Sequence, residues 1–362
     1  MVFWIILFAV IYVIANCELL KNKHKIIANN ILIIVIFTVV AFRYMVGWDY
    51  YSYMILYDDV DEDRLYLEKS FKYLCIVLRQ CGFDYQIVFF IYALITMFFA
   101  YIASKKFNVD TPLFWGLYAL YPMGMLNSMG QIRQVAAIAI FIWATKYIIE
   151  SNYKKYILFV LLAAVVHNSA LVLLFVYPLA RYRYSIKEVI IIGIVALMSV
   201  VSGVWENCLV AVGTFFNSAY IYYVLDGHGQ IPSVGNYMFY IATWIICIIL
   251  YYYSNRTRTD YIVFFMSSFC LIMTILFSVA YELLRIRDYF ALFYIISITR
   301  WIKMYVSSFK AKLVISNIAL LLFGIYFFVY LYNWSVNQEA ALGNISMSAG
   351  NIDYKFNFKL IR

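Results

Sequence analysis

Residues 86–103 read Q-I-V-F-F-I-Y-A-L-I-T-M-F-F-A-Y-I-A, a continuous apolar run without a charged side chain. About 20 apolar residues are needed to cross a bilayer as an α-helix. The run does not alternate between apolar and polar residues, as the strands of a transmembrane barrel would. This stretch therefore predicts a membrane-spanning helix, and much of the remaining chain repeats its pattern.

The composition of the whole chain agrees with that prediction. Of the 362 residues, 66% are hydrophobic and only 13% are charged, whereas soluble domains are nearer half apolar and a quarter charged. A soluble globular protein could not bury so much apolar surface. With 14 Gly, 4 Pro and 6 Cys, the chain is also not collagen-like, disordered or a disulfide scaffold. The predicted fold class is an all-α polytopic membrane protein with about 10 to 12 transmembrane helices.

The apolar runs can be placed along the chain and oriented by their flanking charges. Lys21, Lys23 and Lys25 separate the first two runs, so that turn is expected on the cytoplasmic side. The runs cover residues 2–17, 26–42, 86–103, 112–126, 132–149, 189–205, 237–253, 261–281, 289–299 and 313–332.

One apolar segment, residues 156–180, is long enough to span the membrane, but a single crossing here disagrees with the charges that follow it. If it spanned the membrane, the basic stretch R-Y-R-Y-S-I-K at residues 181–187 would lie outside. We therefore expect a re-entrant helical hairpin, or two short helices, that turns near His167. Such a break at membrane depth requires surrounding protein or water.

These assignments predict a single transmembrane domain over residues 1–332. Its outer segments cover residues 43–85, 127–133, 206–236 and 282–288, and a polar external tail covers residues 333–362. The net charge of +9 would suggest a nucleic-acid partner in a soluble protein. Here the basic residues cluster in short cytoplasmic turns, so no nucleic-acid partner is expected.

The stretch F-R-Y-M-V-G-W-D-Y-Y-S-Y at residues 42–53 carries the first candidate site residues. Arg43 offers a fork of donors that suits a phosphate, and Asp49 could act as general base toward a sugar hydroxyl. The alternative is an interfacial aromatic belt in which Arg43 extends its guanidinium to the membrane surface.

Further arginines stand at two other predicted outer boundaries. Arg133 begins an apolar span, where an arginine is costly unless it is paired or faces water. Arg285 and Arg287 lie in R-I-R-D-Y-F at residues 285–290, and for Arg287 an ion pair with Asp288 is favoured. Arginines at three outer boundaries suggest an anionic headgroup, and a pyrophosphate fits.

His167 is the one histidine within an apolar run, and such a residue is more often a satisfied polar contact than a ligand. Its place at the proposed turn favours function. The acidic run at residues 58–63 could bind a divalent cation through its carboxylates, but a solvated loop is expected. Residues 64–80 have the apolar spacing of an amphipathic helix on the outer surface. No P-loop or Cys/His metal spacing is present in the sequence, so no metal or cofactor is expected.

Five motifs occur along the chain in the order R-Y-M-V-G-W-D-Y-Y-S-Y, L-E-K-S-F-K-Y-L, R-Q-V-A-A-I-A-I, H-N-S-A-L and R-I-R-D-Y-F. This order resembles the EpsG-like proteins among the Wzy-type polysaccharide polymerases. The resemblance implies a GT-C-like, metal-independent membrane glycosyltransferase that joins oligosaccharide repeat units carried on undecaprenyl pyrophosphate. The matching family positions are Arg43, Gly47, Asp49, Tyr50, Tyr53, Glu68, Arg133, Gln134, His167 and Arg285.

From these residues we expect an inverting transfer at the outer face of a bacterial cytoplasmic membrane. Arginines would hold the donor pyrophosphate, and the base would be Asp49 by preference, then Glu68 or His167. The expected pyrophosphate ligands are Arg43, Arg133, Arg285 and Arg287, and the expected sugar contacts are Trp48, Tyr50, Tyr53 and Gln134.

The expected partners are membrane lipid and a chain-length regulator. Two other functions remain open, an O-antigen ligase and a flippase or transporter of a lipid-linked glycan. The pathway also remains open between O-antigen of lipopolysaccharide, capsule and exopolysaccharide.

Overall fold

The computed structural model describes residues 1–16, 22–59, 68–215, 234–279, 281–342 and 354–360. Its α-helices are α1 Val2–Ala15, α2 Asn22–Ala41, α3 Tyr50–Asp58, α4 Lys69–Gln80, α5 Gln86–Lys106, α6 Thr111–Leu120, α7 Met125–Gly130, α8 Ile132–Ile149, α9 Tyr153–Val166, α10 Val176–Arg181, α11 Ile186–Val201, α12 Val204–Phe215, α13 Val234–Tyr252, α14 Arg258–Leu276, α15 Arg285–Ala291, α16 Phe293–Tyr305 and α17 Phe309–Leu342. The 3-10 helices are Asn168–Phe175, Phe277–Val279 and Tyr281–Leu284. Strand β1 (Arg43–Tyr44) pairs in an antiparallel manner with β2 (Lys355–Phe356).

Polar side chains fix the starts of several helices. Ser185 and Glu188 form a capping box at the start of α11, and Thr257 and Asp260 form one at the start of α14. Asp110 accepts a hydrogen bond from the first turn of α6. These side chains satisfy N–H groups that the first turn leaves without a partner. The apolar runs are therefore bounded by short polar turns.

Five helices in the described ranges are long and apolar enough to cross a membrane. A sixth crossing is obtained if α11 and α12, bent by 77° at their junction, count as one span. The all-α polytopic fold class is thereby confirmed, while the larger number of 10 to 12 transmembrane helices stays a prediction. The five segments are His24–Ala41, Gln86–Lys106, Ile132–Ile149, Arg258–Val279 and Phe309–Trp334.

The contacts within the chain group it into two compact units. The first comprises Met1–Tyr147, Asn152–Leu174 and Thr299–Arg362, and the second comprises Ile148–Ser151 and Phe175–Ile298. The single domain expected over residues 1–332 stays a prediction. Most of the candidate site residues belong to the first unit, and only Arg285 and Arg287 belong to the second.

The chain reverses its direction at His167. Helix α9 ends at Val166, His167 has extended backbone angles, and a 3-10 helix follows. The Tyr156 hydroxyl donates to the Leu173 carbonyl at 2.6 Å although 17 residues separate them. A continuous helix would place these residues about 25 Å apart, so the two arms must lie side by side. The predicted turn at His167 is confirmed, and residues 153–175 are called the hairpin below.

Helix α17 differs from the sequence-based prediction, which began a polar tail at residue 333. It continues to Leu342, and its 34 residues extend over about 50 Å, beyond the roughly 30 Å of a bilayer core. Farther along the chain, β2 returns to β1. The segment expected to be a tail therefore contributes a helix end and a strand to the first unit.

Candidate active site

Helices α3 and α4 lie in the predicted outer segment, residues 43–85, and rest on an apolar core. Phe71, Cys75 and Leu78 lie on the buried face of α4, with the spacing that one helical face requires. Tyr53 of α3 is also buried in this cluster. The predicted helix is confirmed from Lys69 onward, with its apolar face packed inside the protein. Its place on the outer membrane surface stays a prediction, and residues 64–67 lie outside the described ranges.

Glu68, immediately before α4, is the centre of a charged cluster. His167 Nδ1 donates to Glu68 Oε1 at 2.7 Å, and the Asn168 main-chain N–H donates to the same oxygen at 3.3 Å. Glu68 Oε2 forms an ion pair with Arg133 Nη1. The fold thus brings together the outer segment, the start of α8 and the turn of the hairpin.

The Arg133 guanidinium lies between aromatic rings as well as beside Glu68. Its central carbon is 5.0 Å from the centroid of the Phe71 ring and 5.5 Å from that of Tyr53. Arg133 Nε donates to the Tyr53 hydroxyl at 3.5 Å. Aromatic faces attract a cation, and the carboxylate offsets the cost of a half-buried charge. The cluster therefore holds Arg133 in a fixed orientation.

Glu68 is ionised in this environment although its side chain is only 6% exposed. Burial alone would raise its pKa, but the hydrogen bond from His167 and the charge of Arg133 lower it to about 2. Glu68 is thus a permanent anion at neutral pH and a poor acceptor for a proton. Its geometry suits it to orient His167 and Arg133.

This ion cluster predicts a specific dependence of stability on pH. A carboxyl whose pKa falls on folding, here from 4.5 to about 2, stabilises the folded protein above the higher value and loses that contribution as the pH falls through the lower one. We expect the melting-temperature difference between wild type and Glu68→Gln to be constant above about pH 5 and to shrink below it. An unchanged difference at about pH 3 would contradict an ionised Glu68.

Trp48 is held against the turn that precedes Arg133. Gly47 has a φ of +106°, and a Cβ at this position would overlap the Met129 carbonyl oxygen. A Cβ at Gly130 would overlap the Trp48 indole. Both positions therefore need glycine. The Trp48 ring also meets Trp334 of α17 edge to face, with centroids 5.7 Å apart.

Arg43 and Tyr50 belong to the predicted outer segment, and both side chains are buried inside the protein. The Arg43 guanidinium donates to the carbonyls of Val40 at 2.6 Å and Val46 at 3.0 Å, and it lies 4.1 Å from the Phe89 ring centroid. Burial lowers its pKa to about 10, so the group stays charged at neutral pH. Arg43 thus joins the end of α2 to the turn that follows it.

The remaining candidates, Asp49, Gln134, Arg285 and Arg287, differ in how far they are buried. Asp49 is half-buried immediately before α3, and Gln134 is buried in α8. In the second unit, Arg285 is exposed. Arg287 donates to one Asp288 oxygen from Nε at 3.0 Å and from Nη2 at 2.7 Å. The ion pair expected between Arg287 and Asp288 is confirmed.

Sequence reasoning missed several residues of the first unit that contact these groups or the end of α2 beside them. Among them are Gln86, which bonds to Tyr50, Phe89, which lies against Arg43, Trp334, which contacts Trp48, and Tyr354, which donates to the Val39 carbonyl. Of these, only Tyr354 lies in a pattern that predicts a strand. Aromatic and polar residues alternate in Y-K-F-N-F-K at residues 354–359, as they do in a strand. Within the described residues, no group of three or more His, Cys, Asp or Glu side chains could hold a metal ion.

Comparison with known proteins assigns the chain to a family. The model of the EpsG family matches residues 26–355, which is most of the chain. Neither a curated protein nor a solved structure matches it. The matched region contains Glu68, Arg133 and His167. The chain therefore belongs to the EpsG family of Wzy-like polysaccharide polymerases.

Proposed function

We propose that this polymerase joins oligosaccharide repeat units carried on undecaprenyl pyrophosphate, at the outer face of a bacterial cytoplasmic membrane. The growing chain leaves its own lipid pyrophosphate and is transferred to the next lipid-linked unit. The observation that carries the proposal is the cluster of Glu68, Arg133 and His167, which combines a fixed cation with a histidine bonded to a carboxylate. We also propose a GT-C-like architecture and a chain-length regulator as partner.

Arg133 is the proposed contact to the leaving pyrophosphate. A guanidinium has five N–H donors, more than the ion pair with Glu68 and the bond to Tyr53 use. Negative charge develops on the pyrophosphate as the glycosidic bond breaks, and a preorganised cation stabilises it. The pyrophosphate contact that the sequence suggests for exposed Arg285 stays a prediction. Since arginine supplies this charge, the proposed mechanism requires no metal.

His167 is the proposed general base. Because Nδ1 donates to Glu68, the neutral imidazole carries its lone pair on Nε2. Nε2 takes the proton from the acceptor hydroxyl, whose oxygen then bonds to the anomeric carbon. The bond from that carbon to the phosphate oxygen breaks, and its electron pair leaves with undecaprenyl pyrophosphate. Displacement from the opposite side inverts the anomeric centre.

This assignment changes the roles expected from sequence. His167 replaces Asp49 as the preferred base, because the hydrogen bond to Glu68 fixes its tautomer. Arg43 and Arg287 receive structural roles, since each is buried with its guanidinium bonded to protein oxygens. Tyr53 supports Arg133.

The two tryptophans are the proposed sugar contacts. Trp48 and Trp334 are both partly exposed and meet near the turn that leads to Arg133. Aromatic rings offer an apolar surface on which a sugar ring can stack. We expect Trp334→Leu to raise KM for the lipid-linked unit by about fivefold, and Trp334→Phe to raise it less. Equal KM values for the Leu variant and wild type would contradict this contact.

The polymerase proposal is tested by comparing surface glycan and lipid-linked precursor in a strain with and without this gene. A single repeat unit on the surface acceptor, with the long-chain ladder absent, is the result expected for a polymerase. A complete ladder retained on the lipid carrier would instead indicate a ligase. Repeat units confined to the inner leaflet would indicate a flippase.

A further inference from the structure

Residues 354–360 lie against both ends of the outer segment that carries Tyr53 and Glu68. This segment begins after α2, at Phe42, and ends at the start of α5, at Gln86. The two ends of this excursion lie close together because α2 packs directly against α5. Residues 354–360 are called the clasp below.

The clasp bonds to the first end of the excursion through its main chain. β2 pairs with β1, and the Asn357 N–H donates to the Phe42 carbonyl at 2.7 Å. The Tyr354 hydroxyl donates to the Val39 carbonyl in the last turn of α2 at 2.6 Å. The carbonyls at the end of a helix have no partner inside it, so these bonds fix the point where the outer segment begins.

The same residues bond to the second end of the excursion. The Asp84 N–H donates to the Leu360 carbonyl at 2.9 Å. Asn357 Nδ2 donates to Gln86 Oε1 at 3.3 Å, and Gln86 Nε2 donates back to the Ala41 carbonyl at 2.6 Å. Asn357 therefore connects directly to both ends.

Aromatic packing holds the clasp on the protein. The Tyr354 ring stacks on Phe3 with centroids 4.0 Å apart and planes 9° apart. Phe358 packs on Phe42 with centroids 4.9 Å apart. Stacked aromatic pairs contribute beyond the area that they bury. These contacts attach the clasp to α1 and to the end of α2.

The excursion leads from these ends to the charged cluster. Gln86 Oε1, which accepts from Asn357, also accepts from the Tyr50 hydroxyl at 3.5 Å. Tyr50 and Tyr53 are neighbours on α3, and Tyr53 contacts Arg133. Glu68 lies within the same excursion. A displaced α3 would therefore disturb Arg133, although Arg133 itself is on α8.

We propose that the clasp is a positioning element of the active site, which holds the outer segment so that Tyr53 and Glu68 meet Arg133 and His167. This inference rests on the proposed function of that cluster. The clasp contributes no group to the chemistry. We expect its loss to leave α2 and α5 in place, because these two helices pack directly against each other.

The experiment measures docking and activity separately. Ser70 Oγ donates to the Val165 carbonyl, so α4 touches the hairpin at that point. Ser70→Cys with Val165→Cys, in full-length protein with Cys17, Cys81 and Cys208 replaced by serine, is treated with a short bifunctional thiol cross-linker. The cross-link yield reports the fraction of protein in which α4 of the outer segment lies against the hairpin. Surface glycan from cells without the cysteine pair reports polymerisation.

Asn357→Pro removes the main-chain donor to Phe42 and the amide donor to Gln86. We expect it to lower both cross-link yield and polymerisation by about tenfold at an unchanged protein level in the membrane. Asn357→Ala keeps the main-chain donor and should give an intermediate effect. Lys355→Gln, which changes an exposed side chain of the same strand, is the matched control and should match wild type.

The outcomes separate this inference from the proposed function. An unchanged cross-link yield in Asn357→Pro would overturn the positioning role, whatever the activity. A lowered yield with full polymerisation would overturn the active-site assignment on which the role rests. A fall in both, with Lys355→Gln at wild-type values, supports the clasp.

Discussion

We expect Arg133→Ala to lower polymerisation by about 100-fold or more while the protein remains in the membrane. The substitution removes the cation proposed to stabilise the leaving pyrophosphate, and it leaves ionised Glu68 without its ion pair. Arg133→Lys keeps the charge but loses the planar fork, so an intermediate rate is expected. The rate is measured as elongation of a lipid-linked repeat unit by the purified protein.

Arg183→Ala is the matched control for that series. Arg183 is exposed and belongs to the second unit, in the turn before α11. Its substitution removes the same charge from the chain without touching the cluster, so wild-type elongation is expected. Wild-type elongation in Arg133→Ala as well would overturn the role proposed for this arginine.

We expect His167→Ala to lower the rate by about 10²- to 10⁴-fold, the range that a general base contributes. Glu68→Gln keeps the size of the side chain but loses the anion that orients His167, so a smaller loss is expected. Because Glu68 acts partly through His167, the fold-loss in the double variant should be smaller than the product of the two single fold-losses.

Asp49→Asn distinguishes the two candidate bases. If His167 accepts the proton, this substitution should cost much less than His167→Ala. A greater loss in Asp49→Asn than in His167→Ala would return the role to Asp49. Additive losses in the Glu68 and His167 double variant would show that the two residues act independently.

The sequence predicted the features that depend on local chemistry. The sequence predicts the hairpin because a simple membrane crossing would place the basic residues 181–187 on the outer side of the membrane. Arg133 is a predicted site residue because a charge at a membrane boundary needs a partner. For Glu68, the resemblance to the EpsG-like proteins identified the position, but nothing in the sequence showed that its carboxylate binds both Arg133 and His167.

Contacts between residues that are far apart along the chain could not be predicted from the sequence. Glu68 and His167 are 99 residues apart, and no spacing rule joins an outer segment to a hairpin. The run at residues 112–126 was expected to be continuous, yet α6 ends at Leu120. Pro122 follows shortly after, and proline disfavours a helical conformation at the residue before it. Gly124 then lies so close to the Tyr118 carbonyl that a side chain would overlap it.

The central claim is that this member of the EpsG family polymerises lipid-linked repeat units with the cluster of Glu68, Arg133 and His167. The most direct test is a gel of surface glycan from a strain lacking the gene and carrying either the wild-type protein or His167→Ala at equal membrane levels. Our account predicts a full ladder with the wild type and a single surface repeat unit with His167→Ala. A full ladder with His167→Ala would contradict it.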